Sequence, residues 1–114
     1  MMPDRARLPN RRPCVTERIE VGQSVYEASI GFDHDSRPKE IFLTGAKIGT
    51  DMAAILADTS VAVSVALQHG VSAEAMALSV SRVPEALDGP PVRPASVIGA
   101  ALDVVARYER EAAR

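Results

Sequence analysis

The chain has 114 residues, 46% of them apolar and 25% charged, with a formal net charge of −2; that is about one domain with a single core. Aromatic residues make up only 4%, with no Trp, so the core must be built from Ala, Val, Leu, Ile and Met. The sequence thus offers neither a stacking platform for single-stranded nucleic acid nor a global positive field to attract one.

The first fourteen residues, MMPDRARLPNRRPC, hold three prolines and four arginines without periodicity, and are expected to form a flexible basic lead-in. Arg5, Arg7, Arg11 and Arg12 against Asp4 give this arm +3, so the remainder carries −5. An arm of this kind is either a solvated terminus or a contact for an acidic partner or a phosphate. It lacks the apolar stretch of a signal peptide, and the apolar runs elsewhere are short, so the expectation is a cytoplasmic chain with no membrane span.

A single domain is expected over residues 15–112. Thr16 to Val21 is rich in β-branched residues and ends in a turn at Gly22-Gln23 or Gln23-Ser24. Val25 to Phe32 then alternates, with Tyr26, Ala28, Ile30 and Phe32 on one side and Glu27, Ser29 and Gly31 on the other, the pattern of a strand with one wet face. Asp33 to Pro38 is turn chemistry, and Lys39 to Thr44 is the returning strand of an antiparallel hairpin. Beyond the glycine-bracketed segment Gly45 to Thr50, a helix capped by Thr50 or Asp51 runs to about His69 and stops at Gly70. Its predicted buried stripe is Met52, Ile55, Leu56, Thr59, Val63, Ala66 and Leu67. Ser72 caps a short helix from Ala73 to about Val80. Four prolines between Pro84 and Pro94 mark Val83 to Arg93 as a loop. A last helix starts near Pro94 to Ser96, with Ile98, Ala101, Leu102, Val105 and Tyr108 inward. The expected class is α+β: a small antiparallel sheet of about three strands, followed by two or three helices packed on one face.

Chemistry is sparse. The best local candidate is the loop Gly45, Lys47, Gly49 and Thr50, which leaves a strand and feeds a helix N-terminus, where backbone N–H groups and the helix dipole favour a phosphate. Its spacing is not that of a Walker motif, and the glycines also answer a strand-to-helix turn. His34 lies between Asp33 and Asp35, but neighbours in a tight turn point apart and do not converge on one ion. His69 sits at a helix C-terminus, a structural place for a histidine. Cys14 is the single cysteine, so one chain can form neither an internal disulfide nor a thiolate metal cluster; it also has no neighbouring base to activate it. Ser64 and Gln68, four apart on the long helix, are read as packing or interface residues. No catalytic residue and no metal site is assigned.

Four blocks in order carry a family likeness: Arg37-Pro38-Lys39-Glu40-Ile41-Phe42-Leu43, Gly45 to Asp51, Ser64-Val65-Ala66-Leu67-Gln68-His69-Gly70-Val71, and Pro94 to Asp103. Over roughly residues 15–104 the chain resembles the TSCPD domain, found near the C-terminus of cobalamin-dependent ribonucleoside-diphosphate reductases and as short stand-alone bacterial proteins. The Thr-Ser-Cys-Pro-Asp string that names the family is absent here. The resemblance implies a role in deoxyribonucleotide supply for DNA synthesis. Adenosylcobalamin belongs to the related full-length reductases, and none is expected on this chain alone. One cysteine cannot supply both a thiyl-forming residue and a reducing pair. The expectation is therefore an accessory or nucleotide-binding module whose partner is a reductase subunit or a nucleotide. The alternative is a non-catalytic homo-oligomeric scaffold.

Overall fold

A computed structural model describes residues 13–113; the basic arm expected over residues 1–14 falls almost wholly outside them. The order of elements is β1 (Cys14–Val21), β2 (Ser24–Phe32), β3 (Pro38–Thr44), α1 (Asp51–Gln68), α2 (Ala73–Ser79), β4 (Arg82–Pro84), β5 (Pro91–Pro94) and α3 (Val97–Ala112). The strands β1, β2 and β3 form an antiparallel meander in that order, and β4 pairs with β5 in a separate ribbon. The class is α+β, as the sequence pattern predicts.

The meander follows from its alternation. β1 and β2 join through the two-residue turn Gly22-Gln23, with Val21 opposite Ser24 and Ile19 opposite Tyr26. That register puts Val15, Ile19 and Val21 on the same face as Ala28, Ile30 and Phe32, because side chains alternate along a strand. Ile41 and Leu43 of β3 join them opposite Ile30 and Ala28. This face meets Leu56, Val63 and Leu67 of α1 and Val97, Ala101, Leu102, Val105 and Ala106 of α3 in one core. β1 begins at Cys14, two residues before the predicted strand. The ladder extends one residue further, since the Phe32 N–H donates to the Pro13 carbonyl at 3.1 Å.

β3 is one of the two edge strands of the meander, and an edge exposes unpaired N–H and C=O groups. Here α1 covers it. The Leu43 N–H donates to Ser60 Oγ at 3.1 Å, and the Ile41 N–H donates to Ser64 Oγ at 2.9 Å. Ser64 Oγ donates back to the Ile41 carbonyl at 3.1 Å, and Gln68 Nε2 donates to the Lys39 carbonyl at 3.0 Å. The geometry works because four residues of helix advance about 6 Å and two residues of strand about 6.6 Å. Side chains at every fourth helical position therefore keep step with every second strand residue, and the series Ser60, Ser64, Gln68 serves β3 as a substitute fourth strand. Lys39 Nζ closes the series on the Leu67 carbonyl at 3.1 Å.

This explains a departure from the predicted stripe. Met52 and Ile55, expected inward, are 45% and 58% exposed, while Ser60, Ser64 and Gln68 are buried. Hydrophobic periodicity cannot anticipate a helix that turns polar side chains to an open sheet edge. By length and composition alone α1 is apolar enough to cross a membrane, a test that the core helix of a globular domain also passes. In the fold it lies along β3.

The segment Val83 to Arg93 is a further correction, because β4 and β5 form a ribbon where a proline loop was expected. Arg82 pairs with Pro94 and Val83 with Arg93, with a bulge between Val83 and Pro84. A two-stranded ribbon has two free edges, and its prolines sit at strand ends, where a missing N–H costs no ladder bond. Arg82 fixes the ribbon through a two-pronged pair with Asp103 of α3 and a 3.1 Å bond to the Val92 carbonyl.

All three helices start on hydroxyl caps: Thr50 to Ala53 N–H, Ser72 to Ala75 N–H, and Ser96 to Gly99 N–H. α3 is further tied to the sheet by Glu17 of β1, which accepts from Tyr108 Oη and from the Arg107 guanidinium. The Tyr108 ring meets Phe32 edge to face at 5.3 Å. The bond to Glu17, with partial burial, raises the Tyr108 pKa above its ordinary value. A folded-state pKa raised in this way stabilises the fold below the unfolded value of about 10, and that contribution is lost as pH rises through the folded value. Spectrophotometric titration of tyrosinate should therefore show one tyrosine ionising above pH ~10, in a step that Tyr108→Phe removes. Ionisation of Tyr108 at or below that value would mean the bond to Glu17 is not formed in solution.

Candidate functional site

The loop between β3 and α1 brings its four predicted residues together and uses most of them for its own closure. Gly45 has φ +121°, and a Cβ there would stand 3.0 Å from Tyr26 Cα and 3.1 Å from the Val25 carbonyl oxygen. Only glycine lets the chain leave β3 so close to β2. Gly49 has φ +85° and open space around it. Thr50 Oγ donates to the Lys47 carbonyl at 2.6 Å and accepts from the Ala53 N–H at 3.2 Å. Its hydroxyl thus satisfies one of the helix N–H groups that a phosphate would otherwise meet. The Lys47 side chain is exposed beside this turn, with Ile48 at 94% exposure next to it.

The Asp33-His34-Asp35 turn is organised by its first residue, since Asp33 Oδ1 accepts from the Asp35 and Arg37 N–H groups at 2.9 and 3.0 Å. This is an Asx turn, and it aims Asp33 at the backbone. Among the described residues no three His, Cys, Asp or Glu side chains come together to hold a metal. Cys14 is exposed at the start of β1, its Sγ 3.8 Å from the Val15 carbonyl.

A second place on the molecule was not found from the sequence. Arg37 before β3, Pro38 and Lys39 at its start, Leu67 of α1 with Gly70 and Ser72 beyond it, Glu74 of α2, and Glu109 and Arg110 of α3 line a cleft of about 340 Å³. Glu109 is committed there: its two carboxylate oxygens accept from the Ala73 and Glu74 N–H groups at 2.6 and 3.1 Å, capping α2 from another helix. The doublet Arg37 and Lys39 was a visible signal. Arg110 reaches the same cleft from 71 positions further along the chain, a juxtaposition that no local motif encodes.

Two further clefts are apolar. One, about 350 Å³, lies between the β1–β2 turn and the starts of α1 and α3, lined by Tyr26, Met52, Ile55 and Ile98 among others. The other, about 410 Å³, lies beside the β3–α1 loop under Phe42 and Ile48.

Comparison with known proteins completes the description. The sequence model of the family described as the TSCPD domain matches residues 3–107. The vitamin B12-dependent ribonucleotide reductase of Rhodopirellula baltica is 35% identical over 72 residues, which is 63% of this chain and 7% of that protein. The chain thus corresponds to a small part of the curated relative it matches. No solved structure gives a significant match.

Proposed function

Because the chain belongs to the TSCPD domain family, we propose that it serves ribonucleotide reduction as an accessory module. In this reading it acts in the cytoplasm and supports deoxyribonucleotide supply for DNA synthesis by binding a reductase subunit, a nucleotide, or both. The observation that carries the reading is the likeness of 63% of this chain to 7% of a B12-dependent ribonucleotide reductase. A stretch that forms its own core, with its sheet edge closed by α1, suits a module set beside a larger catalytic body. The chemistry points the same way, since reduction of a ribose needs a radical-bearing thiol and a dithiol reductant, and the chain has one cysteine.

In this reading cobalamin is not held by this chain alone: its clefts of about 340 and 410 Å³ lie at the lower end of the pockets that take drug-sized ligands, ~300–1,000 Å³, and a corrinoid is much larger. The cofactor and the ribose chemistry are assigned to the partner.

Within this reading the loop Gly45, Lys47, Gly49 and Thr50 is a candidate contact for a nucleotide phosphate. Isothermal calorimetry with nucleoside di- and triphosphates should show heat, and its loss in Lys47→Ala would place the contact at the loop. Absence of heat with every nucleotide, together with no association with a reductase, would remove the accessory reading.

A second reading, a homo-oligomeric scaffold, is favoured by the first turns of α1, where Met52 and Ile55 on one face are both exposed. Two such faces can pair across a two-fold axis. Light scattering should then report a dimer that Ile55→Glu converts to monomer; a strict monomer in the parent chain counts against it.

A further inference from the structure

We propose that the cleft lined by Arg37, Lys39 and Arg110 is an anion site for the phosphate groups of a small ligand, distinct from the Lys47 loop. The choice of a nucleotide as that ligand rests on the reading above; the affinity for phosphate rests on the cleft.

Three cations from two distant segments converge on a cleft of about 340 Å³, within the size range of small-ligand pockets, ~300–1,000 Å³. Two carboxylates, Glu74 and Glu109, share the lining. Glu109 directs both oxygens at the first N–H groups of α2, which engages its lone pairs although its charge remains, and Glu74 is exposed. Three cations thus face two carboxylates in the lining, a formal net of +1. Among the described residues neither Arg37 nor Arg110 has an ion-pair partner. Lys39 gives one proton to the Leu67 carbonyl, which fixes the ammonium and leaves two N–H donors. Ser72 Oγ accepts from the Ala75 N–H, leaving its hydroxyl proton to donate.

Arg37 is also held in place. The Asx turn on Asp33 takes the Arg37 N–H, and the Asp33 N–H donates to the Arg37 carbonyl at 2.9 Å. Arg37 on this turn and Arg110 on α3 both line the cleft, and guanidinium forks bind phosphate oxygens in pairs. Exposed cations of this kind act in high dielectric, so the binding is salt-sensitive.

The test is calorimetry on the full chain at low ionic strength with three probes: ADP, inorganic pyrophosphate and adenosine. ADP and pyrophosphate are expected to bind and adenosine to give no heat. The double variant Arg37→Ala, Arg110→Ala should weaken binding by about ten- to a hundredfold, the effect of losing charge-assisted hydrogen bonds. Arg37→Lys with Arg110→Lys should restore part of it, and Arg93→Ala, an exposed arginine of β5 outside this cleft, should leave it within about twofold. Both arginines are exposed, so an unchanged thermal midpoint verifies that the variants fold. Binding of pyrophosphate but not ADP supports the cleft and assigns it to a free phosphate. No heat with any probe, or ADP binding that survives the arginine substitutions, overturns it. A chain that gives no heat yet associates with a reductase refutes the cleft while leaving the accessory reading in place.

Discussion

Ser64→Ala is expected to lower the free energy of unfolding by about 2–4 kcal/mol, because each buried backbone group left unpaired costs ~1–3 kcal/mol. The Ser64 side chain is 6% exposed and holds both the N–H and the carbonyl of Ile41. Alanine removes the hydroxyl and with it the partner of both groups. Ser79→Ala, an exposed serine that donates only to the Ala75 carbonyl of its own helix, should stay within about 0.5 kcal/mol. Urea unfolding of the two variants beside the parent makes the comparison. A loss below about 1 kcal/mol in Ser64→Ala would show that Ile41 finds other partners, and that α1 is not a substitute strand.

The loop glycine comes second. Gly45→Ala must place a Cβ 3.0 Å from Tyr26 Cα and 3.1 Å from the Val25 carbonyl oxygen while holding φ near +121°. The neighbours are backbone atoms of β2 and cannot rotate away. Strain at a left-handed φ costs ~1–3 kcal/mol, and crowding by an added methyl a similar amount. The expected loss is therefore about 2–4 kcal/mol. Gly49→Ala has φ +85° to satisfy but nothing within 4 Å, so it should lose only about 1 kcal/mol. Thermal or urea unfolding that ranks Gly49 as the costlier site would contradict the close passage of this loop over β2. The comparison also bears on ligand binding, since Gly45 is required by the fold whatever the loop contacts.

Much of the fold could be read from the sequence because its signals are local. The alternation from Tyr26 to Phe32, the first helix cap at Thr50 or Asp51, the cap Ser72, the start of the last helix near Pro94 to Ser96, and Gly70 after α1 each act over a few residues, and each falls within the predicted bounds. The misses share a different cause. The sequence reads Ser64 and Gln68 as packing or interface residues, and both are buried. Their bonding to β3 and the burial of Ser60, however, depend on where β3 lies, some twenty residues away, and a serine on an apolar helix carries no mark of that. The β4–β5 ribbon was hidden by its prolines, which forbid a central strand but not one with an open edge. At the candidate sites the loop Gly45 to Thr50 was visible as a motif, while the cleft was not, because Arg37 and Arg110 meet only once α3 has folded across the start of β3.

The relation of this chain to ribonucleotide reduction is the central proposal. Its most direct test is affinity purification of the tagged full-length chain from its own host, with identification of the co-eluting proteins and assay of the eluate for deoxyribonucleotide formation. The predicted result is a ribonucleotide reductase subunit that co-elutes in stoichiometric amount, with reductase activity present in the complex and absent from the chain alone. Elution of the chain without a reductase, in a form that binds no nucleotide, would contradict it.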